Sequence, residues 1–160
     1  MTDSDFLQPM VDPQIKKIGI RKVTARNEGG TRTVINVRDF TVVTDEASGT
    51  NTGPTPLETV LASLAGCEAV IINRVAEAMK FKYSAVDLES EGEVDQRGSR
   101  GVRGVRPYFN WVRLKITVHS RESAERLEKL KKNVESWCPV INLLRSAQVE
   151  VRTEWTLVAD

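Results

Sequence analysis

A single histidine and two cysteines, with no C-x-x-C or H-x-x-x-H spacing, leave these 160 residues little from which to build a metal site. Charge of one sign is missing as well. Lys and Arg total 23 against 22 Asp and Glu, a net of +1, so no global field draws the chain to nucleic acid, a membrane or an acidic partner. Aromatics are sparse at 6%, and none alternates with Arg97, Arg100, Arg103 and Arg106, which argues against a base-reading surface. No glycine-rich phosphate loop is present; Gly29-Gly30 reads as a turn. Arginine, lysine or glutamate breaks every apolar run, so no membrane-spanning helix is expected. Met1 to Asp5 is acidic and no apolar signal core follows it, which makes the cytoplasm the expected compartment. Thiols are kept reduced there. Cys67 and Cys138 are then either two inert buried thiols or one working pair.

What is present suits one domain with its own core, or a subunit whose core a partner completes: 40% of the chain is hydrophobic. Residues 1–13, with Pro9 and Pro13, read as a loose arm, and 14–160 as a single domain. Ile15 to Arg26 is rich in β-branched residues and reads as a strand, followed by the hairpin signal Asn27-Glu28-Gly29-Gly30 and strands over Thr31–Val37 and Phe40–Thr44. Gly49, Gly53, Pro54 and Pro56 mark a loop. The period then changes: Leu57, Val60, Leu61, Leu64, Ile71, Ile72, Val75 and Met79 predict a long helix from Pro56 to Lys80. Being apolar on more than one face, it should lie inside the fold. Strands are expected over Tyr83–Asp95 and Tyr108–Ser120, with an arginine-bearing loop between them. An amphipathic helix capped by Ser120 should run to Trp137, a short helix should follow Cys138-Pro139, and a last strand should cover Gln148–Ala159. This order is α+β with antiparallel pairing and not an alternating nucleotide-binding fold.

On an ideal helix Val60, Leu64, Cys67 and Ile71 share one face, so Cys67 reads first as a small buried hydrophobe. Gly66 costs a helix about 1 kcal/mol relative to alanine, and it clears room beside the thiol for another group. Pro139 fits the first position of a helix, which makes Cys138 the expected N-cap. The unpaired N–H groups of a helix start favour a thiolate, so local physics makes Cys138 the more acidic thiol. The alternative is a cysteine that merely ends a loop. Cys67 would need a nearby cation. His119 ends a strand and reads as structural; pairing it with either cysteine as in a cysteine protease has no motif behind it. Trp111, Trp137 and Trp155 read as core or interface residues.

Gly53-Pro54-Thr55-Pro56-Leu57-Glu58 with Leu61-Ala62-Ser63-Leu64-Ala65-Gly66-Cys67 resembles the first signature of the OsmC/Ohr superfamily, the osmotically inducible protein C and organic hydroperoxide resistance proteins. Cys138-Pro139-Val140 followed by Leu143-Leu144 resembles the second. The resemblance covers nearly the whole chain past the arm. It implies an OsmC-like swapped homodimer, with antiparallel sheets wrapped around long central helices and two equivalent sites at the subunit interface. It also implies that Cys67 is the peroxidatic cysteine and Cys138 the resolving one, with no bound cofactor. The family assists its thiol with an arginine held by a glutamate, which most often directly follows the proline. Here Leu57 stands at that place and Glu58 comes one residue later, nine positions before Cys67 and half a turn out of phase with it. Glu58 is therefore either the displaced family glutamate or a first-turn acid. Arg38 is the candidate arginine, with Arg32 nearby; each is otherwise a solvated strand residue. The arginines at 97, 100, 103 and 106 read as a solvated loop, a clamp for an acidic substrate or a contact with a partner subunit.

The expected activity is a thiol peroxidase that reduces organic hydroperoxides through a Cys67 sulfenic acid and a Cys67–Cys138 disulfide, with a dithiol as reductant. The competing expectation is a dimeric module that keeps the fold and an apolar pocket but has little peroxidase activity. Both cysteines favour the first; the displaced glutamate favours the second.

Overall fold

The computed structural model describes residues 18–159; the arm expected over 1–13 lies outside them. These residues fall into two compact units, one up to Val60 and one from Leu61 onward.

In the first unit, β1 (Thr24–Asn27), β2 (Thr33–Val37) and β3 (Phe40–Thr44) form an antiparallel meander in that order. The Asn27 side chain accepts from the Gly29 N–H at 2.8 Å and fixes the first turn. Arg38, at φ 54°, makes the second. Of the strand expected over Ile15–Arg26, residues 15–17 lie outside the described residues, and in the rest pairing starts only at Thr24, opposite Asn36, near the end of β2 at Val37. Ile18, Ile20 and Val23 are exposed.

Past β3 the chain folds back through Asp45, which is fully buried. Its carboxylate accepts from the hydroxyls of Thr31 (2.7 Å), Thr50 (2.5 Å) and Thr52 (3.0 Å) and from the N–H groups of Thr52 and Glu46. These donors, Thr31 first, hold the carboxyl far below the usual carboxylate range. A side chain on Gly53 would collide with the Val43 carbonyl, so this loop needs glycine where it crosses β3. The loop delivers Thr55 to the start of α1 (Pro56–Met79). The Glu58 N–H donates to Thr55 Oγ1 at 3.2 Å, and the Thr55 N–H donates to Glu58 Oε2 at 2.7 Å. This reciprocal pair is a capping box, with Pro56 in the first helical position, where a missing N–H costs nothing.

In the second unit, β4 (Ala85–Glu93), β5 (Trp111–His119) and β6 (Glu150–Val158) form a sheet ordered as they occur. β4 and β5 are antiparallel; β5 and β6 are parallel, which corrects the expectation of wholly antiparallel pairing. The connection from β5 to β6 carries two helices and is long enough to return the chain to the same end of the sheet. Strand alternation is strict on β5: Val112, Leu114, Ile116 and Val118 are fully buried, and the residues between them are partly exposed. The outer face carries cross-strand polar pairs, Lys115 with Glu89 at 3.0 Å and His119 Nε2 with Asp87 at 2.7 Å among them. The His119 ring is thus engaged within the sheet.

α2 (Ala124–Trp137) and α3 (Pro139–Ser146) pack on the inner face with the buried stripe of α1, namely Leu64, Ile71, Ile72, Val75 and Ala76. The cap of α2 is Ser123, whose hydroxyl accepts from the Arg126 N–H at 3.3 Å, and not Ser120. Ser120 is instead buried and donates to the Lys82 carbonyl, a tertiary bond that ties the end of β5 to the segment after α1. By length and composition alone α1 could cross a bilayer, which corrects the reading that every apolar run is broken; here its buried residues belong to the core.

The capping box makes the start of α1 sensitive to one hydroxyl. Thr55→Ala is expected to lower unfolding free energy by about 1 kcal/mol, measured by denaturant titration. An unchanged midpoint would show that the helix start is held elsewhere.

Candidate thiol site

Cys67 sits on α1 and is half-buried; Cys138 is fully buried. Cys138 ends α2, giving its N–H to the Val134 carbonyl at 2.9 Å, and it is also the N-cap of α3. Pro139 forces this junction, since its ring has no N–H to continue α2 and its φ suits the start of a new helix. The Cys138 carbonyl accepts from the N–H and the side-chain amide of Asn142 at 3.1 and 2.9 Å. The thiol makes no capping bond, and it points at α1.

The two sulfurs, 71 positions apart in sequence, are 3.6 Å apart, with the Cys138 thiol donating toward Cys67. Both are free thiols. A disulfide requires about 2.05 Å between sulfurs, so a modest approach closes the bond.

Glu68, next to Cys67, enters the same site and was not anticipated. It is fully buried, and among the described residues no donor makes a well-directed hydrogen bond to either carboxyl oxygen. The Cys138 thiol, in contact with the neighbouring Cys67 sulfur, is one of the groups that bear on this carboxyl. Burial raises the Glu68 pKa to about 7; Cys138 acts against that rise, Glu135 adds to it and Arg145 opposes it. Burial likewise holds the Cys138 thiol well above the ordinary range, and the Glu68 carboxyl adds to the effect, although the Ile141 N–H opposes it. The helix-start argument for an acidic Cys138 is therefore overturned. A helix terminus contributes about 0.3–1 kcal/mol, while burial of a charge shifts a pKa by up to ~3–5 units, and burial wins.

Arg145, on α3, donates to Glu135 Oε2 at 2.9 Å, and Glu135 Oε1 accepts from Thr153 at 2.5 Å. This charged pair, which the sequence reading did not single out, acts on Glu68. A signal for Glu68 did exist: it falls four positions after Leu64 and three before Ile71, inside the apolar stripe.

The residues anticipated from the sequence divide. Cys67 and Cys138 come together. Glu58 is held by Thr55 in the helix cap, and those hydrogen bonds lower its pKa. Arg38 lies at the β2–β3 turn with its guanidinium 5.1 Å from the Phe40 ring centre. Arg32 donates to Thr52 at 3.2 Å. Of the loop arginines, Arg97 pairs with Asp95 at 2.6 Å, and Arg106 stacks on Tyr108 and donates to the Gln148 carbonyl. The room expected beside Gly66 is real: a side chain there would meet no atom within 4 Å, and the position is exposed.

A half-buried thiol facing a fully buried one across a helix junction defines an α+β dithiol protein. The chain belongs to the OsmC-like protein family, which it matches over residues 49–154. Its fold is that of solved family structures. An OsmC-like protein from Mycoplasma pneumoniae is 24% identical, with a TM-score of 0.76 over 88% of this chain and 98% of that one. The organic hydroperoxide resistance protein OhrB of Bacillus subtilis is 22% identical, with a TM-score of 0.64 over 86% and 98%. An organic hydroperoxide resistance protein from Elizabethkingia anophelis is 16% identical, with a TM-score of 0.67 over 91% and 100%. No curated protein matches this chain.

The sulfur separation yields a direct expectation. Mild oxidation should lower the protein mass by two hydrogens and block alkylation of both cysteines, as read by mass spectrometry. Two thiols that still alkylate after oxidation would show that the junction cannot close.

Proposed function

We propose that this protein is a thiol peroxidase that reduces organic hydroperoxides. The supporting observation is the unequal thiol pair at 3.6 Å, one sulfur within reach of solvent and the other sealed behind it. Cys67 is the attacker, because it is the accessible thiol while Cys138 keeps its proton. The Cys67 thiolate attacks the outer peroxide oxygen, the O–O bond breaks, and the departing alkoxide takes a proton to leave as an alcohol. Cys138 then displaces hydroxide from the Cys67 sulfenic acid, giving the disulfide and water. A dithiol reductant of the cell returns both thiols, which suits the cytoplasm as the working compartment. Two solved relatives of this fold carry organic hydroperoxide resistance in their names, which supports the same substrate class here. Arg38 as the assisting arginine rests on the family pattern alone. The bonds between Glu58 and Thr55 support a capping role for that carboxylate over a catalytic one.

Single-turnover consumption of an alkyl hydroperoxide tests the reading. Cys67→Ser should consume none. Cys138→Ser should consume one equivalent and stop at a sulfenic acid that a dimedone-type reagent traps. The reverse pattern would exchange the two roles, and an inert wild type would favour the binding module, toward which the capped Glu58 points.

The working unit is a homodimer, with residues 14–160 of each copy acting as one domain. In the unit that carries the thiols, Val70 on α1, Trp137 on α2 and Leu143 on α3 are 50%, 38% and 70% exposed, apolar surface that a partner copy would cover. An obligate interface of this kind buries roughly 2,000 Å² or more. Light scattering at micromolar concentration should report twice the chain mass, and Val70→Glu should shift it toward the monomer. A monomeric wild type would dismiss the dimer.

A further inference from the structure

Glu68 is a cost to the fold. A carboxyl sealed from water with no well-directed donor is worse for stability than an apolar side chain of the same shape. Four groups bear on it from the elements around it: Cys67 beside it on α1, Cys138 at the junction, Glu135 on α2 and Arg145 on α3. Arg145, the one cation among them, is paired with Glu135 and makes no hydrogen bond to Glu68. What remains beside the carboxyl is the Cys138 thiol, itself sealed and in contact with the Cys67 sulfur. Cys138 has to lose a proton to attack. Cys138 has no exposed surface of its own from which bulk water could take that proton.

We propose that Glu68 is the proton relay of the dithiol, taking the Cys138 proton as the disulfide forms and returning it to the group that leaves Cys67. The proposal rests on the peroxidase reading for its natural substrate, but the relay acts on any leaving group carried by Cys67. With a sulfenic acid, the Cys138 thiol proton passes to the Glu68 carboxylate and the Cys138 sulfur attacks Cys67 Sγ. The S–O bond breaks, and the departing hydroxide takes the proton back from Glu68 to leave as water. One S–S bond forms, one S–O bond is lost, and the carboxylate ends as it began. A pKa raised by burial to about 7 suits both halves, since a relay must accept and release the same proton near working pH. The reason this carboxyl stands unsatisfied in the core is then that a permanent partner would hold it ionised or protonated.

Glu68→Gln keeps the shape and removes the proton site. Two reagents separate the relay from the peroxidase reading: tert-butyl hydroperoxide, and dithiobis(nitrobenzoate), which marks Cys67 with a first coloured thiolate and releases a second when Cys138 closes the disulfide. In Glu68→Gln the first release should proceed, serving as an internal check that the site is folded, while the second slows by about 100-fold. The wild-type rate of the second release should rise with pH through an inflection near 7, and the variant should lose that inflection. Glu68→Asp should recover part of the rate. With the hydroperoxide, the variant should accumulate trappable sulfenic acid at Cys67. If only the hydroperoxide arm is silent in the wild type, the peroxidase reading fails and the relay stands on the disulfide arm. A second release equally fast in wild type and Glu68→Gln, with the same pH profile, overturns the relay. A wild type that closes no disulfide with either reagent overturns it too.

Discussion

The site depends on a single backbone event, the break between α2 and α3 at Cys138-Pro139. One residue has to end a helix, begin the next and send its side chain to a third. Pro139 ensures the break, because a proline cannot donate the bond that would continue α2. Asn142 then ties the junction from the other side, reaching the carbonyls of Ser136 and Cys138 at 3.1 and 2.9 Å. These bonds hold the backbone, so the thiol makes no capping bond and is available to face Cys67. The helices in turn lean on the inner face of the second sheet, where four alternate residues of β5 are fully buried. Burying each such aliphatic side chain is worth about 1.5–3 kcal/mol, against about 0–1 for each exposed charge pair on the outer face. The apolar wall is what fixes the junction, and the junction fixes the sulfur.

Elements that local chemistry dictates were legible in the sequence. Pro56 opens α1 as its position suggests, the helix ends within a residue of Lys80, and β3 occupies Phe40 to Thr44. Features that depend on distant partners were not. Ile18, Ile20 and Val23 have strand-forming side chains, but a strand exists only where another strand pairs with it. Ser120 and Ser123 are both good caps followed by acids. The choice between them was made by the Lys82 carbonyl, which claims Ser120 from 38 positions away. The meeting of Cys67 with Cys138 was likewise invisible to spacing, and only the family resemblance joined them. Glu68 follows the motif directly, and nothing in its local sequence says which group it will face. Its anomaly, a charge inside an apolar stripe, takes its meaning from what the opposite element presents.

The electrostatics of the junction oppose the helix-start rule, and magnitudes explain why. The backbone N–H of Ile141 does favour a Cys138 thiolate, as a helix N-terminus should. That advantage assumes an end open to solvent, whereas Cys138 is sealed and has a carboxyl for a neighbour. Charge at one of these groups raises the cost of charge at the other, so the pair holds a proton between them more readily than it gives up both. The same junction would behave differently if Glu68 were glutamine, because the thiol would lose both its repulsion and its acceptor.

This coupling gives the two cysteines different chemistry without requiring different intrinsic reactivity. Exposure separates the two thiols, since Cys67 is half-buried and Cys138 sealed, and on the proposed reading it decides which one meets an oxidant. Protonation keeps the sealed thiol quiet at rest. Burial first, and the Glu68 carboxyl after it, make Cys138 a poor thiolate at rest, and the relay proposed above gives that same carboxyl the thiol's proton. A resolving thiol, the role proposed for Cys138, has to wait and then act, and a buried carboxyl of intermediate acidity suits both demands. The fold's loss of stability at Glu68 and the reticence of Cys138 thus share one first cause, the burial of two ionisable groups in the same place.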